Sequence, residues 1–97
     1  MIQSFRDPGT EDVWNGRNTR RARNALPREL WRSAQRKLTL LNHATGPGDL
    51  AAVPSLRLKT MRGDRKGQHS IRVDEQYRIC FEWTDAGPRS VELVDYH

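Results

Sequence analysis

The chain has 97 residues, enough for one domain and not for a second with its own core. Only 35% of residues are hydrophobic and 30% are charged, yet alternating apolar runs in the second half argue against wholesale disorder. Seventeen Lys and Arg against twelve Asp and Glu leave a net charge of +5 and a pI near 10.1, which favours an anionic partner, with nucleic acid as the first expectation.

In chain order, Ile2–Arg6 is short and alternating and predicts a first strand, broken by Pro8-Gly9. Thr10 is placed to cap a short helix through Glu11, Asp12, Val13 and Trp14, with Gly16 ending it. Gly16–Asn24 is rich in Arg and Asn without apolar periodicity and reads as a loop. Residues 16–26 together form a candidate flexible basic segment, either a plain linker or an arm that touches RNA or a partner. Pro27 suits the first position of a long helix, in which Leu30, Ala34, Leu38 and Leu41 make one apolar stripe. Arg28, Arg32 and Arg36 share another face. Gly46-Pro47-Gly48 stops that helix, and Asp49–Val53 adds one further turn.

After Pro54 the period changes to two. Leu56, Leu58 and Thr60 suggest a strand, and Gly63-Asp64-Arg65-Lys66-Gly67 a polar turn. His69, Ile71 and Val73 form one alternating set, and Tyr77, Ile79, Phe81 and Trp83 a second. Asp85-Ala86-Gly87-Pro88 turns the chain into a last strand through Val91, Leu93 and Val94. The layout is α+β, with an N-terminal strand and two helices packed on one face of a mainly antiparallel sheet. With Asp74-Glu75-Gln76 as a hairpin loop, Ile71 faces Ile79 and Arg72 faces Arg78. Two opposed arginines are unfavourable, so either an anion such as phosphate compensates or both side chains extend into water.

Cys80 is the single cysteine, which excludes an intramolecular disulfide framework and a cysteine-based zinc site. No apolar stretch approaches the ~20 residues that span a bilayer, and the N-terminus has no signal-peptide core; a soluble cytoplasmic protein is expected. Basic residues concentrate in two blocks, Arg17–Lys37 and Arg57–Arg78, whereas Glu82, Asp85, Glu92 and Asp95 face only Arg89 after them.

Three histidines are candidates for proton transfer. His43 falls late in the long helix, where a cation suits the dipole, and His69 alternates with apolar strand residues, so both read as structural. His97 ends the chain after Asp95-Tyr96, on a segment that the final strand would hold. An imidazole near neutral pH, a tyrosine hydroxyl, an orienting aspartate and the cations Lys59, Arg72 and Arg78 suffice for RNA phosphodiester cleavage. Such chemistry requires no metal or other cofactor, and no carboxylate cluster that would hold a metal is apparent.

Three stretches together are specific: Gly63-Asp64-Arg65-Lys66-Gly67-Gln68-His69-Ser70-Ile71, then Tyr77-Arg78-Ile79-Cys80-Phe81, then Val94-Asp95-Tyr96-His97. With the opening Met1-Ile2-Gln3-Ser4-Phe5, they resemble the HigB toxins of the RelE/ParE superfamily of type II toxin–antitoxin systems over nearly the whole chain. The resemblance implies a compact RelE-like fold with a concave basic face. It implies a ribosome-dependent endoribonuclease that cuts mRNA in the A site by 2′-hydroxyl attack, without metal, and so inhibits translation. It also implies a HigA-type helix-turn-helix antitoxin through which the toxin reaches operator DNA, the 70S ribosome and mRNA as further partners, and no membrane. By position, the resemblance gives His97, Tyr96, Asp95 and Arg78 as catalytic. On charge, Lys59, Arg72, Arg65 and Lys66 are expected to bind phosphate, and Arg28, Arg32 and Arg36 to bind rRNA. Some family members carry a histidine at the position of Lys59; a lysine neutralises phosphate but is a poor general base. His97 is then expected to carry most proton transfer, with Tyr96 assisting. The rival readings are a gyrase-poisoning toxin on the same superfamily fold and a non-catalytic, antitoxin-binding co-repressor.

Overall fold

The computed structural model describes residues 1–96; His97 lies outside the described residues. Its first helix, α1, is Pro8–Asn15. The cap is Asp7 rather than Thr10: the Asp7 carboxylate accepts from the Thr10 amide at 2.6 Å, and Pro8 supplies the preset first turn. Thr10 is turned inward, and its hydroxyl accepts the Leu93 amide at 3.0 Å, which ties α1 to the sheet. Gly16 closes the helix in the left-handed conformation at φ 71.

Arg20–Ala25, expected as loop, is a second helix, α2. Its order comes from contacts with α1. Thr19 caps it by accepting from the Ala22 amide, and the same hydroxyl donates to the buried Asp12 carboxylate at 2.7 Å. Arg21 Nε donates to that carboxylate at 2.6 Å, while Ala22 and Leu26 are fully buried. At Gly9 the two helices touch: a Cβ there would stand 2.6 Å from the Arg21 carbonyl oxygen.

A 3-10 turn, Arg28–Leu30, leads into α3, Trp31–His43. The long helix therefore starts at Trp31, not Pro27. Trp31, Ala34, Leu38 and Leu41 form its buried stripe, and the Trp31 indole donates to the Leu26 carbonyl at 2.8 Å. Pro47 starts the short helix α4, Pro47–Ala51, after α3 has ended.

The sheet has four antiparallel strands in the order β1 (Lys59–Thr60), β2 (Gln68–Arg72), β3 (Tyr77–Thr84) and β4 (Gly87–Asp95). The predicted hairpin register holds, with Ile71 opposite Ile79 and Arg72 opposite Arg78. Asp74 closes the turn by accepting from the Gln76 and Tyr77 amides. Two expected strands are reduced. Ile2–Arg6 makes one parallel bridge, Phe5 with Val91, because Ser90 at φ 53 kinks β4 and the Ser4 hydroxyl takes the Ser90 amide. Leu56 falls in a 3-10 turn, Pro54–Leu56, and Arg57 at φ 46 reverses the chain before β1.

The architecture is the α+β layout expected, with four helices among the described residues instead of two. Ile71, Ile79, Phe81 and Val91 point to the helices and are fully buried with Leu38 and Leu41. The alternate residues, Ser70, Arg72, Arg78, Cys80, Glu92 and Val94, form the other face of the sheet, where the charged candidates gather.

Candidate functional site

On this outer face, register alone sets two rows. Lys59, Ser70, Cys80 and Glu92 are paired neighbours across the four strands. One step along, Arg72, Arg78 and Val94 form the next row. Tyr96 follows β4 and is held by its amide, which donates to the Gln76 carbonyl at 2.6 Å. Tyr96 is 41% exposed, with the Lys59 ammonium 4.6 Å from its ring centroid. Lys59, Thr60, Met61, Arg62 and Tyr96 line a cleft of about 350 Å3.

Arg78 borders this cluster. Its Nε donates to the Ser70 hydroxyl at 2.7 Å, and Nη2 to the Arg57 carbonyl at 2.6 Å and the Ser70 carbonyl at 3.3 Å. Burial disfavours its charged form, while Cys80 and Tyr96 favour it and Arg72 and Arg57 oppose it. Among the described residues, no carboxylate pairs with Arg78 or with Lys59. The cluster is thus a cationic pocket beside an exposed phenol, matched to an anion with a planar or hydroxyl-bearing neighbour. Cys80 lies between Ser70 and Glu92 in the first row, fully buried, and burial raises its thiol pKa, which disfavours the thiolate.

Comparison with known proteins places the chain as a whole. A family described as the RelE-like toxin of the type II toxin–antitoxin system HigB matches residues 3–97. Toxin HigB-1 of Vibrio cholerae serotype O1 is 33% identical over 85 residues, covering 88% of this chain and 86% of that protein. The chain belongs to the HigB-like toxin family. A toxin of this family has an antitoxin partner.

Within this HigB-like frame the expected site residues separate into groups. Lys59, Arg72, Arg78 and Tyr96 share the outer face. Asp95 is in register with Tyr77 and so belongs by alternation to the other side of the sheet from Tyr96; its carboxylate accepts from Gln76 Nε2 at 3.0 Å. His97 lies outside the described residues. Arg65 is engaged elsewhere: its Nη1 donates to Glu92 at 2.9 Å and to Gln68 at 3.2 Å, which fastens the Gly63–Arg65 turn to the sheet. Lys66 is exposed just after that turn.

Arg28, Arg32 and Arg36 are exposed on the helical layer, across the sheet from the cleft. Arg28 also stacks on Trp31, 5.0 Å from the ring centroid. Lys37, on the same helix, donates to the Ser33 hydroxyl at 2.8 Å, and its ammonium is shifted down chiefly by burial and then by Arg36, with smaller effects of Asp74 and Arg72. Two contributors are absent from the expected set: Ser70, and the carbonyl of Arg57. Ser70 was within reach of the sequence, since the predicted hairpin register places it on the face of Arg72 and Arg78. The Arg57 carbonyl carries no sequence signal.

Proposed function

We propose that this HigB-like protein is a ribosome-dependent endoribonuclease that cuts mRNA in the A site. The observation that carries the reading is the meeting of Lys59, Arg78 and Tyr96 on one open face, next in sequence to the terminal Asp95-Tyr96-His97. Anionic RNA backbone suits a basic pocket whose cations have no carboxylate partner among the described residues.

In the proposed reaction, the ribose 2′-oxygen attacks the adjacent phosphorus and the bond from phosphorus to the 5′-oxygen breaks. The products are a 2′,3′-cyclic phosphate and a 5′-hydroxyl. His97, assisted by Tyr96, removes the 2′-hydroxyl proton and supplies one to the leaving 5′-oxygen. Arg78 and Lys59 stabilise charge on the phosphoryl oxygens, a role that needs no metal ion. Arg72 adds positive potential from the paired strand, Lys66 meets phosphate further along, and Asp95 supports the terminal segment. The ribosome aligns the strand that this small cleft cannot grip alone. Arg28, Arg32 and Arg36 dock on rRNA, a HigA-type helix-turn-helix antitoxin neutralises the toxin and carries it to operator DNA, and the site of action is the cytoplasm, where ribosomes translate.

The test is cleavage of a defined mRNA on programmed 70S ribosomes. His97→Ala and Arg78→Ala should each lower the cleavage rate by two or more orders of magnitude at unchanged fold, a typical loss for an acid–base group or a charge-stabilising donor. Wild-type rates in both variants would refute the site.

A further inference from the structure

Several arginines in this protein are held by carboxylates. Arg21 bonds Asp12, Arg65 bonds Glu92, and Arg89 bonds Glu82. A carboxylate orients a guanidinium and cancels its charge at the same time. Arg78 is held differently. Among the described residues, all three of its acceptors are neutral: the Ser70 hydroxyl at 2.7 Å, the Arg57 carbonyl at 2.6 Å and the Ser70 carbonyl at 3.3 Å. A neutral cage fixes the group and leaves its field intact for an incoming anion.

The cage is built at some expense. Ser70 is fully buried on the central strand β2, where a hydroxyl needs a partner. Arg57 adopts the left-handed conformation at φ 46 and ψ 52, rare for a residue with a side chain, and its carbonyl is the one that meets Nη2. The three bonds occupy Nε and Nη2. Among the described residues, Nη1 donates to no acceptor. Both forks through which an arginine grips phosphate in a bidentate manner include Nη2, so the two N–H groups of Nη1 are what remains for a ligand.

We infer that Ser70 is a positioning residue: with the Arg57 carbonyl it locks the Arg78 guanidinium so that Nη1, still fully charged, is presented to the scissile phosphate. The inference rests on the nuclease reading above and adds to it how the charge is aimed.

The test uses the full-length protein with Ser70→Ala, and Ser70→Cys as a near-isosteric variant whose sulfur is a weak acceptor. On programmed ribosomes, kcat should fall about tenfold in both, as expected when an aligned charged donor becomes mobile. KM and the pH profile should stay as in wild type. In an Arg78→Ala background, the Ser70 substitutions should cost nothing further. Nitrogen-15 NMR should show a slowly exchanging Arg78 Nε–H signal in wild type that is lost in both variants. A merely structural Ser70 would lower the melting temperature and leave the signal and kcat in place. Wild-type kcat in both variants, multiplicative losses with Arg78→Ala, or a retained Nε–H signal would overturn the inference. If wild type itself cut no ribosome-bound mRNA, the nuclease reading would fail first. The NMR signal would then judge the cage alone.

Discussion

The Lys59 ammonium stands 4.6 Å from the centre of the Tyr96 ring, so a residue of the edge strand β1 reaches the segment that follows β4, the opposite edge of the sheet. The contact bridges the outer face and puts a cation against a phenol in a cleft shared with Thr60, Met61 and Arg62. On the proposed reading, Lys59 supplies charge and not a second proton carrier. Lys59→Met should therefore lower ribosome-dependent cleavage about tenfold, and Lys59→Arg should recover most of it, because a cation worth about 1 kcal/mol or somewhat more at a half-exposed site is what is lost. Single-turnover rates of the two variants check this. Equal loss in both would show that the lysine acts as a base.

Arg65 gives the opposite expectation. Its guanidinium is committed to Glu92 and Gln68, with side chains of Arg65 and Glu92 only 30% and 21% exposed. Arg65→Gln and Glu92→Gln should each cost about 1 kcal/mol, near the upper end for a partly screened pair. In a domain of this size that lowers Tm by roughly 4–8 °C. The double variant should cost less than the sum of the two. Calorimetry of all four proteins measures the coupling, and the salt dependence of cleavage should be nearly unchanged.

The hairpin was legible in the sequence because period two, a polar Asp74-Glu75-Gln76 loop and paired isoleucines agree on one register. The stripe of α3 was legible for the same kind of reason, although Trp31 rather than Leu30 starts it. The helix α2 was not, because Arg20–Ala25 shows no apolar periodicity, although its Arg and Ala residues favour helix. Its stability comes from Asp12, eight residues before Arg20, and from a cap shared between Thr19 and that carboxylate. The N-terminal segment does pair with β4, through amides of Gln3 and Arg6, but forms a bridge at Phe5 instead of a strand, beside Ser90, which departs from extended geometry. At the site, Lys59, Arg78 and Tyr96 were nameable from the sequence, whereas the neutral cage of Arg78 depends on a backbone carbonyl that no residue type announces.

The Asp12 cluster predicts how the fold responds to acid. Hydrogen bonds from Arg21, then Thr19, hold the Asp12 carboxyl below its ordinary 3.8. The unfolded chain therefore binds the proton more tightly than the folded one. The contribution of this carboxylate is complete above the unfolded value of 3.8 and is lost as pH falls from there through the lower folded value. Asp49 titrates in the same direction through its bonds from Thr45. Asp12→Asn should flatten stability against pH in that acid window and make the protein less stable at pH 7. Urea unfolding from pH 7 down to pH 2 measures both effects.

Gly9 tests the packing that creates α2. Alanine at this position suits a helix, but its Cβ would press on the Arg21 carbonyl at 2.6 Å and on Ala25 Cβ at 3.1 Å. Gly9→Ala should destabilise the protein by about 1–3 kcal/mol, as overpacking does, against the ~1 kcal/mol that alanine gains in an open helix. Amide exchange at Ala22–Leu26 should accelerate more than exchange in the β2–β3 hairpin.

The basic row along the Arg28–Leu30 turn and α3 separates docking from chemistry. Arg28, Arg32 and Arg36 stand across the sheet from Lys59 and Tyr96, so their loss should weaken ribosome binding while the cleavage rate at saturation holds. Each phosphate contact removed should lower the slope of log affinity against log salt by about one. Arg28 is set apart by its stack on Trp31, and Arg28→Gln should cost some stability as well. Arg32→Gln and Arg36→Gln should affect affinity alone. Binding to 70S ribosomes measured from 50 to 200 mM salt, beside single-turnover cleavage at saturating ribosome, resolves the two effects. A drop in saturated rate with an unchanged salt slope would assign these arginines to the chemistry and not to docking.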